Sequence, residues 1–179
     1  MTDDAQALAT VHIDSWRAAY RGLVPDAHLA SLDYARRAER FRQALATNSE
    51  EPYVAESDDG ICGFLTLGRC RDEDVDQGST GEIWGIYLAP EYWRGGIGSR
   101  LCKLAEAELA SRGYSVAVLW VFKANSQARR FYEAMGFAPD GATKILNLGK
   151  ELEAVRYRKQ LEKAEQAAPP LQSGRARSD

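Results

Sequence analysis

Apolar side chains recur at every third or fourth position in several stretches of the chain, which is the spacing of amphipathic helices. The first stretch covers residues 4–20, where Trp16 and Tyr20 share one side. Asp33 is suited to cap the next helix, because its carboxylate can accept a hydrogen bond from a first-turn amide. The predicted helices are residues 4–20, 34–46 and 96–112, with a short helical turn at 26–31. A further helix is predicted to begin at a cap formed by Asn125 or Ser126 and to end at residue 135.

Other stretches carry β-branched and aromatic residues in the shorter runs that are typical of strands. Residues 115–122 are almost continuously apolar, as expected of a strand covered on both faces. The tight turn at 57–60 predicts a hairpin, and residues 71–80 form a polar loop whose acidic side chains either attract a cationic amine or are simply solvated. The predicted strands are residues 52–56, 61–69, 82–88, 115–122, 143–148 and 152–158.

Composition narrows the class of protein. The chain has 179 residues, 45% hydrophobic and 27% charged, which fits one soluble globular domain. A formal charge of −3 argues against a dedicated nucleic-acid binder, and no apolar run is long enough for a membrane span. We expect a single domain over residues 1–163, a flexible tail over 164–179, and a cytoplasmic location, because the first residues lack the layout of a signal peptide.

Three cysteines without a C-x-x-C pair indicate neither a disulfide framework nor a metal site. The strongest chemical signal is instead a glycine cluster between the strand at 82–88 and the helix at 96–112. Gly95, Gly96 and Gly98 leave room for a ligand to approach the backbone, and the free N–H groups at a helix start favour an anion. The third glycine of a dinucleotide-binding fingerprint is absent, and so is a P-loop lysine. A glycine-rich connection that binds nothing remains the alternative.

Two segments in the correct order resemble the GCN5-related N-acetyltransferase (GNAT) superfamily. The acetyl-CoA loop of that family reads [QR]-x-x-G-x-[GA], and this chain has WRGGIG, in which Trp93 departs from the first position. Further on, NSQARRFYEAMGF is similar to the family segment N-x-x-A-x-x-[FL]-Y-x-x-x-G-F. The resemblance implies an α/β (α+β) fold: a mixed, mostly antiparallel twisted sheet of six to seven strands flanked by about four helices and splayed at two central parallel strands.

Family members usually begin with a strand before the first helix, in a segment like I-R-x-A-x-x-x-D. This chain starts near the final Asp of that segment, so we expect the first strand to be missing or the start codon to have been chosen late. A missing edge strand would leave unpaired backbone groups that invite pairing with another chain. A homodimer is therefore one expected state.

The resemblance implies acetyl-CoA as cosubstrate, held largely by main-chain groups. The pantetheine arm would bind the strand as an added strand does, through the backbone of Ile86, Tyr87 and Leu88. Asn125 would meet a pantetheine amide, although helix capping alone would also explain this residue. The pyrophosphate would rest on the N–H groups of the glycine loop and the helix start, which are those of Arg94, Gly95, Gly96, Ile97, Gly98 and Ser99.

Direct acetyl transfer to an amine requires a route for the amine proton and one for the departing thiolate. The resemblance makes Glu82 the candidate base, because some family members place a catalytic glutamate four residues before the position of Ile86. Strand alternation would place Glu82 and Ile86 on one largely apolar face. An ordinary strand-end carboxylate, with water removing the proton, is the alternative. Tyr132 matches the family tyrosine that acts as general acid near the sulfur, and core packing is its alternative.

In small bacterial family members that this chain resembles, the first two helices help to wall the acceptor pocket, which makes Trp16 and Tyr20 its candidate lining. The alternative is an aromatic pair buried in the core. His12 could serve as a base, but a lone helical histidine is more often a packing residue. The leading function is acetyl transfer to a primary amine of a small molecule or protein N-terminus. The alternative is a catalytically silent acyl-CoA-binding sensor or assembly module.

Overall fold

The computed structural model describes residues 4–47 and 52–162, so the predicted tail at 164–179 lies outside the described residues. The helical and strand segments alternate much as their periodicity predicts. Within the described part of the chain, no helix is both long and apolar enough to cross a membrane. The elements are α1 (Asp4–Ala19), α2 (Asp26–Ala30), α3 (Tyr34–Ala46), β1 (Tyr53–Ser57), β2 (Gly60–Arg69), β3 (Thr80–Leu88), a 3₁₀ turn (Pro90–Tyr92), α4 (Ile97–Ser111), β4 (Val116–Phe122), α5 (Ser126–Ala134), β5 (Ala138–Asn147) and β6 (Glu151–Gln160).

The described strands form one six-stranded sheet in the order β1-β2-β3-β4-β6-β5. Every neighbouring pair is antiparallel except β3 and β4, which are parallel. That parallel pairing runs only from Thr80↔Val116 to Ile83↔Leu119, although both strands continue further. The mixed sheet and its splayed central pair are therefore confirmed. No strand precedes α1 in the described residues, and β1 lies at one edge.

Helices cover both faces of the sheet. Under α4, Leu101, Ala105 and Leu109 are buried in a cluster with residues of β2, β3, β4 and β6. On the opposite face, Leu8 and Phe41 from α1 and α3 are buried together with Phe64 of β2. Burying a leucine or phenylalanine side chain contributes about 1.5–3 kcal/mol, so these two layers hold the central strands from both sides.

Local signals explain where most elements begin and end. Asp33 caps α3 as predicted, since its carboxylate accepts a hydrogen bond of 2.6 Å from the N–H of Arg36. The hairpin turn is also confirmed, with Ser57 paired to Gly60. β5 begins at Ala138, five residues earlier than the predicted start at Thr143. A bulge between Pro139 and Thr143 interrupts the register with β6, and continuous pairing resumes at Thr143, the predicted start.

His12 of α1 is a core residue. Its ring is 5% exposed and lies 4.6 Å from the ring of Tyr87, centroid to centroid, with Trp16 and Phe41 also nearby. Its Nε2 is in contact with the guanidinium of Arg37. Burial, followed by the charge of Arg37, lowers the pKa of His12 from 6.5 to about 3. Its neutral ring therefore packs inside the domain, and it is not placed to act as a base.

The buried His12 predicts a specific acid destabilisation. In the unfolded chain His12 binds a proton below about pH 6.5, whereas in the folded protein it does so only near pH 3. The neutral ring therefore contributes its full stabilisation above pH 6.5, and this contribution falls as the pH drops from 6.5 towards 3. Between pH 7.5 and pH 5 the loss is about 2 kcal/mol in the free energy of unfolding. Urea unfolding of wild type and His12→Gln at both pH values measures it. The variant should show a smaller difference, while His28→Gln, at the only other histidine, should behave as wild type. Equal pH dependence in all three proteins would contradict the assignment.

Candidate active site

The gap between β3 and β4 is lined by backbone groups that point away from the outer strands. The N–H of Ala89 donates to the carbonyl of Cys62 at 2.9 Å, and Phe64 pairs with Tyr87 in the same register. Because bonding direction alternates along a strand, Tyr87 bonds to β2, whereas the N–H and C=O groups of Ile86 and Leu88 point into the gap. The prediction that the backbone of Tyr87 hydrogen-bonds to the pantetheine arm is therefore wrong. Tyr87 lines the gap with its side chain instead.

The residue that departs from the family loop pattern ties that loop to the strand. The indole N–H of Trp93 donates a hydrogen bond of 2.9 Å to the carbonyl of Leu88. One of the outward-pointing backbone groups of β3 is thus satisfied within the chain. The N–H of Leu88 and both backbone groups of Ile86 remain directed into the gap.

The gap ends at the start of α4, where the chain turns sharply. Gly96 has a φ of 81° and is the N-cap residue, with no side chain capping the helix. Arg94 also has a positive φ of 63°, which is uncommon for a residue with a Cβ. The first four N–H groups of an α-helix have no intrahelical acceptor, so those from Gly96 to Ser99 are free to bind an anion. A Cβ on Gly98 would lie 3.2 Å from Leu88 Cδ1, which explains glycine there.

A cavity of about 350 Å³ occupies the gap and collects most of the predicted site residues. Glu82, Gly95 and Ile97 are not part of its wall. The predicted residues that line it are Trp16, Tyr20, Ile86, Tyr87, Leu88, Arg94, Gly96, Gly98, Ser99, Asn125 and Tyr132.

Tyr132 of α5 lies in the wall of the cavity and is also a core residue. Its ring packs edge-on against Phe131 and Phe137, and the residue is 9% exposed. Burial, with smaller contributions from Cys102 and Tyr20, raises its pKa well above the ordinary value of 10. The phenol therefore stays protonated at neutral pH and is a potential proton donor facing the cavity.

Trp16 and Tyr20 both line the cavity and pack against one another. Their ring centroids lie 4.6 Å apart, and Tyr20 packs edge-on against Phe122 of β4. Tyr20 and Asn125 both line the cavity. Asn125 in turn caps α5, since its Oδ1 accepts from the N–H of Ala128 at 3.0 Å. Trp16 and Tyr20 thus pack with core residues and also line the cavity, and Asn125 caps α5 and also lines it.

Glu82 does not have the surroundings that strand alternation predicts. Thr66 pairs with Gly85 and Leu67 with Ile83, so Trp84 is an extra residue in β3. This bulge places Glu82 on the opposite face from Ile86. The predicted shared apolar face is wrong.

The carboxylate of Glu82 is 2% exposed and is held by Arg71. It accepts hydrogen bonds of 3.0 Å from both the backbone N–H and the Nε of Arg71, and a third from Nη2. A general base must reach the amine directly or through one water. In this structure the carboxylate instead anchors a neighbouring arginine.

Sequence reasoning missed two tryptophans in the cavity wall. Trp84 and Trp120 are the first residues beyond the last β3–β4 pair, so they lie where the two strands part. Both were assigned to strands, but neither strand pattern shows where pairing stops. The sequence offered one signal for the end of the pairing, which is a tryptophan at the corresponding position of each of the two parallel strands.

The chain is similar in sequence to an acetyltransferase family and to proteins named as uncharacterized N-acetyltransferases. The family model described as Acetyltransferase (GNAT) family matches residues 13–137. The chain is 32% identical over 133 residues to the uncharacterized N-acetyltransferase YuaI of Bacillus subtilis, a match that covers 74% of this chain and 73% of YuaI. It is 31% identical over 130 residues to an uncharacterized N-acetyltransferase of Archaeoglobus fulgidus, covering 73% of this chain and 84% of that protein.

Solved structures share the same fold. The PaiA N-acetyltransferase of Thermoplasma acidophilum, crystallised with coenzyme A, superposes with a TM-score of 0.69 at 22% identity, over 89% of this chain and 94% of PaiA. YncA of Salmonella typhimurium, solved with acetyl-CoA, gives a TM-score of 0.66 at 21% identity, over 96% and 95% of the two chains. With the family model covering most of its length, this chain belongs to the GNAT acetyltransferase family.

Proposed function

We propose that this protein is an acetyl-CoA-dependent N-acetyltransferase that transfers the acetyl group directly to a primary amine of a small molecule or a protein N-terminus. The observation that carries the proposal is the open gap between β3 and β4, with outward-pointing main-chain groups of Ile86 and Leu88 leading to the uncapped start of α4. A long ligand with a phosphate group midway matches this order of sites. PaiA and YncA, which share the fold, were crystallised with coenzyme A and acetyl-CoA.

The residues present fit such a ligand. Ile86 and Leu88 would hold the pantetheine arm, and the amides from Gly96 to Ser99 would hold the diphosphate, with Arg94 adding positive charge. A Cβ at Gly96 would meet nothing within 4 Å, so the loop leaves open space at the anion position. Gly95 and Ile97 would serve through their backbone alone. Bound acetyl-CoA supplies a thioester-activated acetyl group.

The chain's own groups account for the remaining chemistry. Tyr132, which is protonated at neutral pH, would donate its proton to the thiolate as the C–S bond breaks and would regain a proton from water before the next turnover. Cys62, Cys70 and Cys102 are each no more than 2% exposed, which supports direct attack by the amine over an acyl-cysteine route. Water would take the amine proton, because Glu82 is engaged by Arg71.

A catalytically silent acyl-CoA-binding module is the second candidate. It is favoured by one observation, that the carboxylate proposed as base is buried in an ion pair. Binding of acetyl-CoA without turnover across a broad panel of amines would select it. Release of free coenzyme A that depends on an added amine would select the enzyme.

Gly98→Asp should weaken acetyl-CoA binding by roughly 10-fold or more, because a carboxylate would face the diphosphate at the helix start. Isothermal titration of folded protein measures the effect. Ser111→Asp is the matched control, since it adds the same charge to the exposed far end of α4. Normal affinity in a folded Gly98→Asp protein would refute the loop assignment.

Tyr132→Phe should lower kcat by roughly 10-fold or more and leave acetyl-CoA affinity nearly unchanged, since only the proton donor is removed. Tyr53→Phe is the control, because that hydroxyl hydrogen-bonds to Glu108 of α4 and does not line the cavity. Steady-state kinetics with titration of the cofactor provides both numbers. Unchanged turnover would remove the acid role.

Glu82→Gln distinguishes an anchor from a base. If Glu82 only holds Arg71, then Glu82→Gln and Arg71→Met break the same ion pair and should lower kcat by similar factors, each below about 10-fold. A base would show a loss of roughly 100-fold or more in Glu82→Gln alone, together with loss of the acidic limb of the pH–rate profile. The kcat and its pH profile for both variants decide between them.

A further inference from the structure

The closed end of the cavity has an aromatic floor. Trp84 and Trp120 come directly after the final β3–β4 pair, Ile83↔Leu119, and both line the cavity. An acceptor that attacks the far end of a ligand lying in the gap must approach this floor. The groups around these two rings therefore bear on which amine the protein accepts.

Both rings are held in place by the surrounding chain. The indole N–H of Trp120 donates to the Asp72 carboxylate at 2.9 Å, and that of Trp84 to the carbonyl of Arg69 at 3.4 Å. A Cβ on Gly68 would lie 2.5 Å from the Trp84 ring, so the glycine makes room for it. The floor is preorganised, which lowers the entropic cost of binding against it.

The protein's own cations already cover these aromatic faces. The guanidinium carbon of Arg71 lies 5.4 Å from the Trp84 ring, and the Lys144 ammonium lies 3.9 Å from the Trp120 ring centroid. A cationic group on the acceptor would have to displace them to form its own cation–π contact. An acidic group would instead meet the Lys144 ammonium, because the charge of Arg71 is already paired with Glu82.

The carboxylates of this region are already engaged. Glu82 is paired with Arg71, and Asp72, Asp74 and Asp140 are all paired with Arg156. In the acidic loop that could have attracted a cationic amine, Asp72 and Asp74 are thus tied to a buried arginine.

Lys144 differs from these groups. Across residues 4–47 and 52–162 its side-chain ammonium forms neither a salt bridge nor a hydrogen bond and contacts only the ring of Trp120, although the residue is only partly exposed. Burial lowers its pKa despite the nearby charges of Asp72 and Glu82, so its positive form is under-compensated. A bound anion would restore that compensation.

We propose that the acceptor amine carries an acidic group, a carboxylate or a phosphonate, which Lys144 binds while the rest of the molecule packs on Trp84 and Trp120. This rests on the proposed acetyltransferase function and makes Lys144 a specificity-determining residue. The acceptors that fit are amino acids and aminophosphonates of low molecular weight.

Binding in the presence of coenzyme A tests the proposal without requiring turnover. Matched sets of probes are leucine, leucinamide, 3-methylbutylamine and the phosphonate analogue of leucine, with the corresponding sets for phenylalanine and methionine. Wild type should bind the acidic members of at least one set roughly 10-fold more tightly than the amide and the simple amine. The carboxylate and phosphonate members show which acid is preferred.

Variants at Lys144 separate recognition from folding. Lys144→Met should bind acidic probes no more tightly than their amides and should raise the KM for acidic acceptors, with kcat and the affinity for amides nearly unchanged. Lys144→Arg should retain much of the preference for acidic probes. Lys103→Met, an exposed lysine on α4, is the control and should bind as wild type.

Acidic probes that bind no better than their amides, or not at all, would overturn the proposal, as would an equal loss for all probes in Lys144→Met. If the protein prefers the acidic probes but releases no coenzyme A when an amine is added, the acetyltransferase function is wrong and the acceptor site proposed here is not.

Discussion

The early end of the pairing between β3 and β4 is the constraint on which the site depends. Each strand remains bonded to its outer neighbour, β3 to β2 and β4 to β6, so the gap is held open from both sides. Backbone groups inside a protein are costly to leave unpaired. The indole of Trp93 satisfies the Leu88 carbonyl, and the remaining groups of Ile86 and Leu88 face the gap. A ligand that hydrogen-bonds like a strand is the natural partner for such an edge.

Charge is distributed along this gap in a way that suits its proposed use. The start of α4 offers uncapped amides to an anion, and the cavity wall contains the neutral phenol of Tyr132. At the closed end, Arg71 and Lys144 lie over the rings of Trp84 and Trp120, which line the cavity. Little of this is visible in the formal charge of −3. Asp72, Asp74 and Asp140 are paired with Arg156, which partly neutralises the acidic side chains near the two tryptophans.

Features that depend on neighbouring residues could be predicted from the sequence, whereas those that depend on distant pairing could not. The cap at Asp33 and the turn at 57–60 are local and were read correctly. The bulge at Trp84 could not be read, because one extra residue leaves composition unchanged yet reverses which face Glu82 occupies. The partners of Arg156 lie up to 84 residues away in sequence, so no local pattern announces them.

The central claim is that main-chain groups in the β3–β4 gap and at the start of α4 hold the cosubstrate. A crystal structure of the complex with coenzyme A tests it most directly. The account predicts hydrogen bonds from the pantetheine arm to the backbone of Ile86 and Leu88, the diphosphate on the amides from Gly96 to Ser99, and the sulfur facing Tyr132. Coenzyme A bound elsewhere, with this gap empty or closed, would contradict it.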